Sequence, residues 1–328
     1  MKILVLTHQD VEELMPVSEC IPVMAEALAD LARGSTFLPL RMVITPPGAA
    51  GDMALMPAYR SGARSGYGVK VVCFFPNNPS KGLDSHQGSV MLFSGETGEL
   101  LALMNASAIT AIRTAAVSGV ATQLLASENA NELAIIGSGV QARAHLQAMT
   151  CVRNIKRARV ASLRFDNAKR FADEFAPRYS FPIEPVESIE RAVNGADLIV
   201  TATTAETPIL RLEWLSAGAH LNVVGSSIPK TREVDSATIA AASLFVDRRE
   251  STINEGGDYL FALREGAIGP DHIKAEIGEL VIGSKTGRTS PGEITIFKSL
   301  GLAVEDLASA DYLYRKAQTS SKGSWVEY

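Results

Sequence analysis

Hydrophobic residues in the first third of the chain follow a helical period once and a strand period thereafter. The segment SECIPVMAEALADLARG has apolar residues along one face and predicts an amphipathic helix that ends at Gly34. Apolar runs typical of strands follow it, in RMVITP, GDMALMPAYR, YGVKVVCFFP and GSVMLFSGETGELLALMN. The last run predicts a hairpin whose turn is SGETGE. Together these runs predict an antiparallel sheet, which is not a nucleotide-binding fold.

The pattern changes near residue 110, where TAIRTAAVSGVATQLLA predicts a helix of small residues. Strands and helices then alternate, in ELAIIG, a helix from Val140, ARVASL, NAKRFADEFA, ADLIVTAT, HLNVVGSS and SLFVDR. This alternation is typical of a doubly wound parallel sheet. The segment EITIFKSLGLAVEDLASADYLYRKA predicts a long helix that returns to the first lobe. The predicted fold class is α/β, with a Rossmann-type doubly wound parallel sheet over residues 115–300 and a discontinuous α+β domain over residues 1–114 and 301–328.

A glycine-rich turn lies at the start of the alternating region, in LAIIGSGVQARAHLQAM over residues 133–149. Its pattern is G-x-G-x-x-A, with Gly137, Gly139 and Ala142 at the fixed positions. The turn follows a predicted strand and precedes a predicted helix, and further strand–helix units come after it. In that context backbone N–H groups and the helix N-terminus can face a pyrophosphate, so the motif predicts dinucleotide binding.

Composition excludes several other classes of protein. A chain of 328 residues favours two lobes, and its net charge of -5 argues against a nucleic-acid-binding surface. The three cysteines are far apart in sequence and favour a reduced, cytoplasmic setting. The five histidines show no ligand spacing, so no metal site is expected. No apolar run approaches the roughly 18 residues of a membrane span, and the polar tail AQTSSKGSW is expected to be mobile until something packs on Trp325.

Four stretches together resemble one protein family, the ornithine cyclodeaminase/μ-crystallin family: ITAIRTAAVSGVA, IIGSGVQARAH, VVGSSIPKTREVD and EITIFKSLGLAVEDL. The resemblance covers nearly the whole chain. It implies a homodimer whose discontinuous domain binds the substrate and makes the dimer contact, while the Rossmann domain binds NAD(H) or NADP(H). The implied activities are cyclodeamination of ornithine or lysine, alanine dehydrogenation and reduction of 2-imino acids, all with hydride transfer at an α-carbon.

The resemblance also implies which residues meet the substrate. A 2-imino acid carries a carboxylate beside its C=N group, so its site needs cations and a group that handles a proton. Arg41 matches the family's carboxylate-binding arginine, and Arg113 matches the arginine that meets substrate and cofactor. Lys70 lies in an apolar strand, where alternation leaves a solvated face or a buried site open; the resemblance favours the buried site and a catalytic role. His86 and Ser89 are placed near the same site, with Ser89 towards the nicotinamide.

In the Rossmann domain the expected cofactor contacts lie at the glycine turn and at strand ends. They are Gly137, Gly139, Val140, Gln141, Thr201, Thr203, Val224, Gly225, Ser226 and Ser227. The second strand of this domain ends at Ser162, a position at which an acidic residue would form hydrogen bonds with the ribose hydroxyls of NAD. Without that carboxylate, Arg164 could bind a 2′-phosphate, which leans towards NADP, but serine also accepts NAD. The choice between the two cofactors stays open.

Two departures from the family pattern bear on the activity. Cyclodeaminases carry a glutamate where this chain has Ala54, and an aspartate where it has Ser227. A serine does not replace a general base unless another group activates it. Reduction of a preformed imine is therefore the favoured activity, with iminosuccinate and cyclic ketimines such as pyrroline-2-carboxylate as candidates. Arg60, Arg64 and Lys81 could serve the second carboxylate of iminosuccinate, although surface cations in a polar loop explain them equally well. A cyclodeaminase, an alanine dehydrogenase and a non-catalytic crystallin-like protein are the alternatives.

Overall fold

The computed structural model describes residues 2–328, apart from the side chain of Pro79, and divides into two compact units. Unit 1 extends to Thr114 and resumes over Leu302–Tyr328, and unit 2 is Ala115–Gly301. The second boundary between the units therefore falls between residues 301 and 302, one residue after the predicted boundary. In chain order the elements are β1 (Lys2–Leu6), α1 (His8–Leu14), α2 (Val17–Ala32), β2 (Thr36–Phe37), β3 (Met42–Ile44), β4 (Asp52–Arg60), β5 (Gly66–Phe74), β6 (His86–Ser94), β7 (Leu100–Asn105), α3 (Ala106–Leu125), β8 (Glu132–Ile136), α4 (Val140–Val152), β9 (Arg157–Ala161), α5 (Phe165–Phe175), β10 (Ile183–Pro185), α6 (Ile189–Val193), β11 (Leu198–Thr201), β12 (His220–Val223), α7 (Ser236–Ala241), β13 (Ser243–Val246), α8 (Arg249–Glu255), α9 (Gly257–Arg264), β14 (Ile273–Glu276), α10 (Ile277–Val281), β15 (Thr295–Lys298), α11 (Ala303–Gln318) and β16 (Ser324–Glu327).

The sheet of unit 1 is built from the strands that sequence periodicity predicts, with three additions. Its order is β16-β1-β7-β6-β5-β4-β2, and β3 also pairs with β4; the short strand β2 is a third addition, beside β1 and β16. The pairs from β4 to β7 are antiparallel, as predicted, whereas β1 runs parallel to β7. The polar tail meets the condition under which it was expected to be ordered, because residues 324–327 form β16 and pair with β1. Trp325 contacts the ring of Tyr314 edge-on, which gives the tail a side-chain anchor.

Helix α11 covers one face of this sheet. It contacts β4, β5, β6 and helix α2. Gly68 of β5 lies so close to it that a Cβ there would be 3.0 Å from Leu307 Cδ1. The first turn of α11 carries two acidic residues, which is favourable at a helix N-terminus. The helix therefore brings buried carboxylates to the covered face of β5.

Unit 2 is a doubly wound parallel sheet, which confirms the predicted Rossmann-type fold. Its order is β10-β9-β8-β11-β12-β15-β13-β14, and every pair is parallel. The chain moves outward from β8 to β10 and then returns to β11 on the other side of β8. The strand order reverses between β8 and β11, and in folds of this type ligands bind in the crevice at the carboxyl ends of the strands on either side of such a reversal.

Among the described residues, helix α3 is long and apolar enough to cross a membrane by length and composition alone. Arg113, Thr114 and Ser118 interrupt the apolar sequence of this helix, so it is not an unbroken apolar run of about 18 residues. In the most apolar 18-residue stretch of this helix, 72% is buried inside the protein. The core helix of a soluble protein has the same length and composition, so this is weak evidence for a membrane span. All three cysteines are free thiols. The cytoplasmic location stays a prediction.

Candidate active site

Lys70 occupies the covered face of the unit 1 sheet. It lies in the middle of β5, two residues after Gly68, so both residues point to the face against which α11 packs. Its side chain is 3% exposed. The sequence left two faces open for this lysine, and the structure places it on the buried one. A buried ammonium needs a counter-charge, and α11 carries it.

Two carboxylates of α11 balance the cations of unit 1. Lys70 Nζ lies 2.8 Å from Asp306 Oδ2, and Arg113 Nε lies 3.1 Å from Asp306 Oδ1. Arg113 Nη1 also lies 2.6 Å from Glu305 Oε2. All four side chains are less than 5% exposed. Thr110, one turn before Arg113 on α3, accepts a long hydrogen bond from Lys70 Nζ at 3.4 Å.

The surroundings lower the basicity of Lys70. Burial, the nearby charge of Arg113 and, to a smaller extent, Arg41 together lower the pKa of Lys70 to about 8, while Asp306 acts in the opposite direction. A lysine with this pKa is mostly protonated at pH 7 yet gives up its proton far more readily than an ordinary lysine. The site therefore combines carboxylate-binding cations with a group that can donate a proton.

The other substrate residues predicted in unit 1 lie around Lys70. Arg41 is half-buried immediately before β3 and interacts electrostatically with Lys70. His86 is exposed at the start of β6, and partial desolvation followed by the charge of Lys70 lowers its pKa. Ser89 is half-buried on β6, opposite Val71 of β5. Arg41, Lys70, Arg113 and His86 thus lie within one electrostatic environment, although their individual roles stay predictions.

Two arginines expected to bind a second carboxylate have other partners. Arg60 is buried and pairs with Asp311 of α11 at 2.9 Å. Arg64 pairs with Glu26 of α2 at 2.9 Å. Both pairs tie the β4–β5 hairpin to the helices of unit 1. The structure favours the alternative interpretation of Arg60 and Arg64 as cations with partners inside the protein, and the role of Lys81 stays a prediction.

The glycine turn of unit 2 has the geometry that a dinucleotide needs. Gly137 has φ of 116°, and a Cβ there would lie 2.3 Å from the carbonyl oxygen of Ala202, so only glycine fits. Gly139 begins α4 and has open space where its Cβ would be. Val140 is 56% exposed beside it, and Gln141 is half-buried. This open helix N-terminus, close to the end of β11, fits a pyrophosphate group.

The strand ends next to this turn are held by one buried carboxylate, that of Glu233. Its Oε1 accepts hydrogen bonds from the backbone N–H and the hydroxyl of Thr203, at 2.8 and 2.7 Å. Its Oε2 accepts from the hydroxyl of Thr201 and from the N–H of Gly225, at 2.8 and 2.7 Å. Burial raises the pKa of Glu233, and Lys298 opposes that shift. The predicted cofactor residues at the ends of β11 and β12 thus form one hydrogen-bonded unit.

A second buried pair supports the loop after β12. Lys298 Nζ lies 2.9 Å from Asp258 Oδ2, and Lys298 also donates a hydrogen bond to the carbonyl of Ser226. The hydroxyl of Ser226 faces inward and contacts Thr231. Val224 is buried, whereas Ser227 is half-buried. The side chain and the carbonyl of Ser226 are thus both engaged within the protein, and the cofactor contacts over 224–227 stay predictions.

The residues that would distinguish NAD from NADP lie after β9. Ser162 shares a hydrogen bond of 3.0 Å with Ser138 of the glycine turn. Arg164 is exposed at the N-terminus of α5, next to Leu163, whose side chain is fully exposed. The hydroxyls of Ser138 and Ser162 together with Arg164 fit the 2′-phosphate of NADP, and the two hydroxyls fit the ribose of NAD equally well. The preference stays open.

Sequence reasoning missed five charged residues that organise these sites. They are Glu233, Asp258, Lys298, Glu305 and Asp306, all buried. A signal was present for the last two, because the adjacent acids in GLAVEDLASA interrupt an otherwise apolar, small-residue helix. The other three gave no such signal, since Lys298 ends a strand, Asp258 lies in the first turn of a helix and Glu233 lies in a loop, where charged residues are common. Within residues 2–328, no three His, Cys, Asp or Glu side chains form a group that could hold a metal ion.

Comparisons with known proteins agree with this geometry. The family model described as ornithine cyclodeaminase/mu-crystallin family matches residues 1–321. The chain is 37% identical to a Delta(1)-pyrroline-2-carboxylate reductase of Bacillus cereus over 99% of this chain and 100% of that protein. It is 39% identical to the ketimine reductase mu-crystallin of Mus musculus over 94% and 96% of the two chains.

Two solved structures have the same fold over their full length. The Thermococcus litoralis Delta(1)-pyrroline-2-carboxylate reductase, in complex with NADH and L-proline, has a TM-score of 0.96 and 40% identity over 99% of this chain and 100% of its own. An archaeal alanine dehydrogenase dimer with bound NAD has a TM-score of 0.93 and 34% identity over all of both chains. Both carry a nicotinamide cofactor, the class that the glycine turn predicts.

Proposed function

The chain belongs to the ornithine cyclodeaminase/mu-crystallin family, and on this premise we propose that it is an NAD(P)H-dependent imine reductase. It transfers a hydride to the C=N carbon of a small 2-imino acid and yields an L-amino acid. The observation that carries the proposal is the buried Lys70–Asp306–Arg113 cluster in unit 1. This cluster places cations that suit a carboxylate beside an ammonium group, that of Lys70, whose pKa is lowered to about 8.

The residues of unit 1 account for binding and proton supply. The planar guanidinium groups of Arg41 and Arg113 suit the two oxygens of a substrate carboxylate. When bound, the nicotinamide supplies the hydride. As the carbon accepts it, the imine nitrogen takes up one proton, and Lys70 Nζ is the donor that we assign. Burial of Lys70 keeps bulk water away from that transfer.

A substrate with a single carboxylate fits this site best. Arg60 and Arg64 are paired with Asp311 and Glu26, so neither supports the second carboxylate of iminosuccinate. Ala54 and Ser227 occupy the positions of the acids that cyclodeamination needs. The relatives named as pyrroline-2-carboxylate reductases point the same way. A cyclic ketimine such as pyrroline-2-carboxylate, which is reduced to proline, is the substrate we propose.

Turnover of imino acids tests the proposal directly. Oxidation of NADH and of NADPH is followed at about 340 nm with pyrroline-2-carboxylate, iminosuccinate, and pyruvate plus ammonia. We expect the cyclic ketimine to give the highest kcat/KM. Lys70→Ala should lower it by at least a hundredfold, whereas Lys274→Ala, on an exposed lysine of unit 2, should leave it unchanged. Absence of turnover with every imino acid, or ammonia release from ornithine without net NADH change, would overturn the proposal.

We also propose that the chain is a homodimer that pairs through unit 1. The sheet and the segment before it expose large apolar side chains, among them Phe37, Met42 and Tyr67. Exposed apolar surface of this kind is typical of protein–protein contacts. The archaeal neighbour was solved as a dimer. Light scattering coupled to size exclusion should therefore give twice the mass of 34.9 kDa.

A further inference from the structure

The first turn of α11 places one carboxylate between the two buried cations of unit 1. Asp306 uses one oxygen for Lys70 Nζ, at 2.8 Å, and the other for Arg113 Nε, at 3.1 Å. The side chain is 1% exposed. Because both oxygens are engaged, rotation of this carboxylate would break a contact with one cation or the other. Its geometry therefore fixes the ammonium and the guanidinium relative to each other.

Glu305, the preceding residue, has a different place in the cluster. Its Oε2 lies 2.6 Å from Arg113 Nη1. It is equally buried and sits in the same helical turn. The two acids therefore form a natural comparison, because Asp306 contacts both Lys70 and Arg113, whereas Glu305 pairs with Arg113.

The charges around Lys70 come from every element packed against it. Arg113 on α3, Arg41 before β3 and His86 on β6 face it with positive or titratable groups. Asp306 on α11 raises the pKa of Lys70 against the effects of burial and of the two arginines. Without that carboxylate, burial and the two arginines favour loss of the proton, and the long hydrogen bond to Thr110 opposes them weakly.

We infer that Asp306 is a positioning residue that keeps Lys70 protonated and holds its Nζ in place for the proton transfer to the substrate nitrogen. The inference rests on the proposed imine reduction for its catalytic consequence only. Asp306 touches neither substrate nor cofactor in this scheme and acts through Lys70. The pairing of Asp306 with Lys70 is a property of the protein alone and can be measured without any substrate.

The pH dependence of kcat/KM for pyrroline-2-carboxylate tests the catalytic consequence. Loss of the Lys70 proton should end activity at alkaline pH, with a midpoint near pH 8 in the unaltered protein. In Asp306→Asn the midpoint should move to lower pH by about one unit or more. Glu305→Gln should move it by a smaller amount, because its carboxylate pairs with Arg113. Ionisation of the substrate itself is common to all three proteins, so it does not account for a difference between them.

A substrate-free measurement covers the case in which Asp306→Asn does not fold. The unaltered protein is labelled with ¹³C at lysine Cε and aspartate Cγ, and both signals are followed by NMR between pH 6 and about 10.5. The Lys70 and Asp306 signals should change with the same midpoint, since loss of the Lys70 charge alters the field at its partner. An Asp306 signal without that inflection would overturn the inference, as would an unmoved alkaline limb in a folded Asp306→Asn protein. If the two signals titrate together but no imino acid is reduced, the proposed function fails and the pairing stands.

Discussion

At the scale of single residues, backbone conformation and burial decide what each position tolerates. Gly137 has a positive φ and no room for a methyl group, whereas Gly139, two residues on, has φ of -80° and open space. The two glycines of the same motif therefore serve different purposes. Gly137 allows the close approach of two strand ends, and Gly139 leaves the helix N-terminus accessible to a ligand.

Gly137→Ala should consequently be far more harmful than Gly139→Ala. The added methyl group would meet the Ala202 carbonyl at 2.3 Å and force the turn to move. We expect Gly137→Ala to weaken NADH binding by at least about tenfold and to destabilise unit 2 by about 2 kcal/mol. Fluorescence titration with NADH and thermal unfolding measure the two effects. Equal affinity in both variants would show that the turn does not face the cofactor.

Lys70 should give the protein a measurable dependence of stability on pH. Its pKa in the folded protein is about 8, below its ordinary value of 10.5, so between these values the unfolded chain binds more protons than the folded one. The free energy of unfolding contributed by this group therefore rises with pH across that window. Relative to Lys70→Met, the unaltered protein should gain on the order of 2 kcal/mol between pH 8 and 10. Denaturant unfolding of both proteins at several pH values checks this, and parallel curves would contradict it.

At the scale of elements, buried charges join segments that are distant in sequence. Glu233 joins the ends of β11 and β12 through four hydrogen bonds, and Asp306 joins α11 to β5 and α3. Each acid serves donors that would otherwise be buried without an acceptor, and such donors are costly. The sites are thus held in shape by carboxylates that the proposed ligands do not touch.

Glu233→Gln should therefore destabilise the protein although it conserves size. An amide has one acceptor oxygen in place of two, and its NH₂ group would face the N–H and O–H donors that the second oxygen now accepts. We expect a loss of about 2–3 kcal/mol in the free energy of unfolding. Glu213→Gln is a matched control, because Glu213 is exposed and forms an exposed pair with Arg211; its effect should be below about 0.5 kcal/mol. Similar losses for the two would contradict the role given to Glu233.

At the scale of the whole molecule, the apolar surface of unit 1 bears on assembly. Phe37 and Tyr67 are 71% and 51% exposed, on neighbouring parts of one sheet. Burial of such side chains between two copies would contribute about 1.5–3 kcal/mol for each of them. The double variant Phe37→Glu, Tyr67→Glu should reduce the mass in light scattering from dimer to monomer. Ile253→Glu, on the exposed surface of α8 in unit 2, should leave the mass unchanged; an unchanged mass in the double variant would place the interface elsewhere.

Much of the fold could be predicted from the sequence because it depends on local periodicity. The hairpin β6–β7, helix α2 and the alternating strands and helices of unit 2 follow from apolar spacing and from turn residues such as Gly34, whose φ of 72° ends α2. The glycine turn was equally readable, since its chemistry lies within six consecutive residues. Strands β1 and β16 were missed because their pairing joins the two ends of the chain.

The partners of charged residues depended on tertiary structure alone. Periodicity allowed either face of β5 for Lys70, and only the packing of α11 made its face the buried one. The same packing pairs Arg60 with Asp311 and Lys70 with Asp306. The physical reason is that local patterns set which elements form, whereas the electrostatics of a site depend on short distances between residues more than 200 positions apart in the chain.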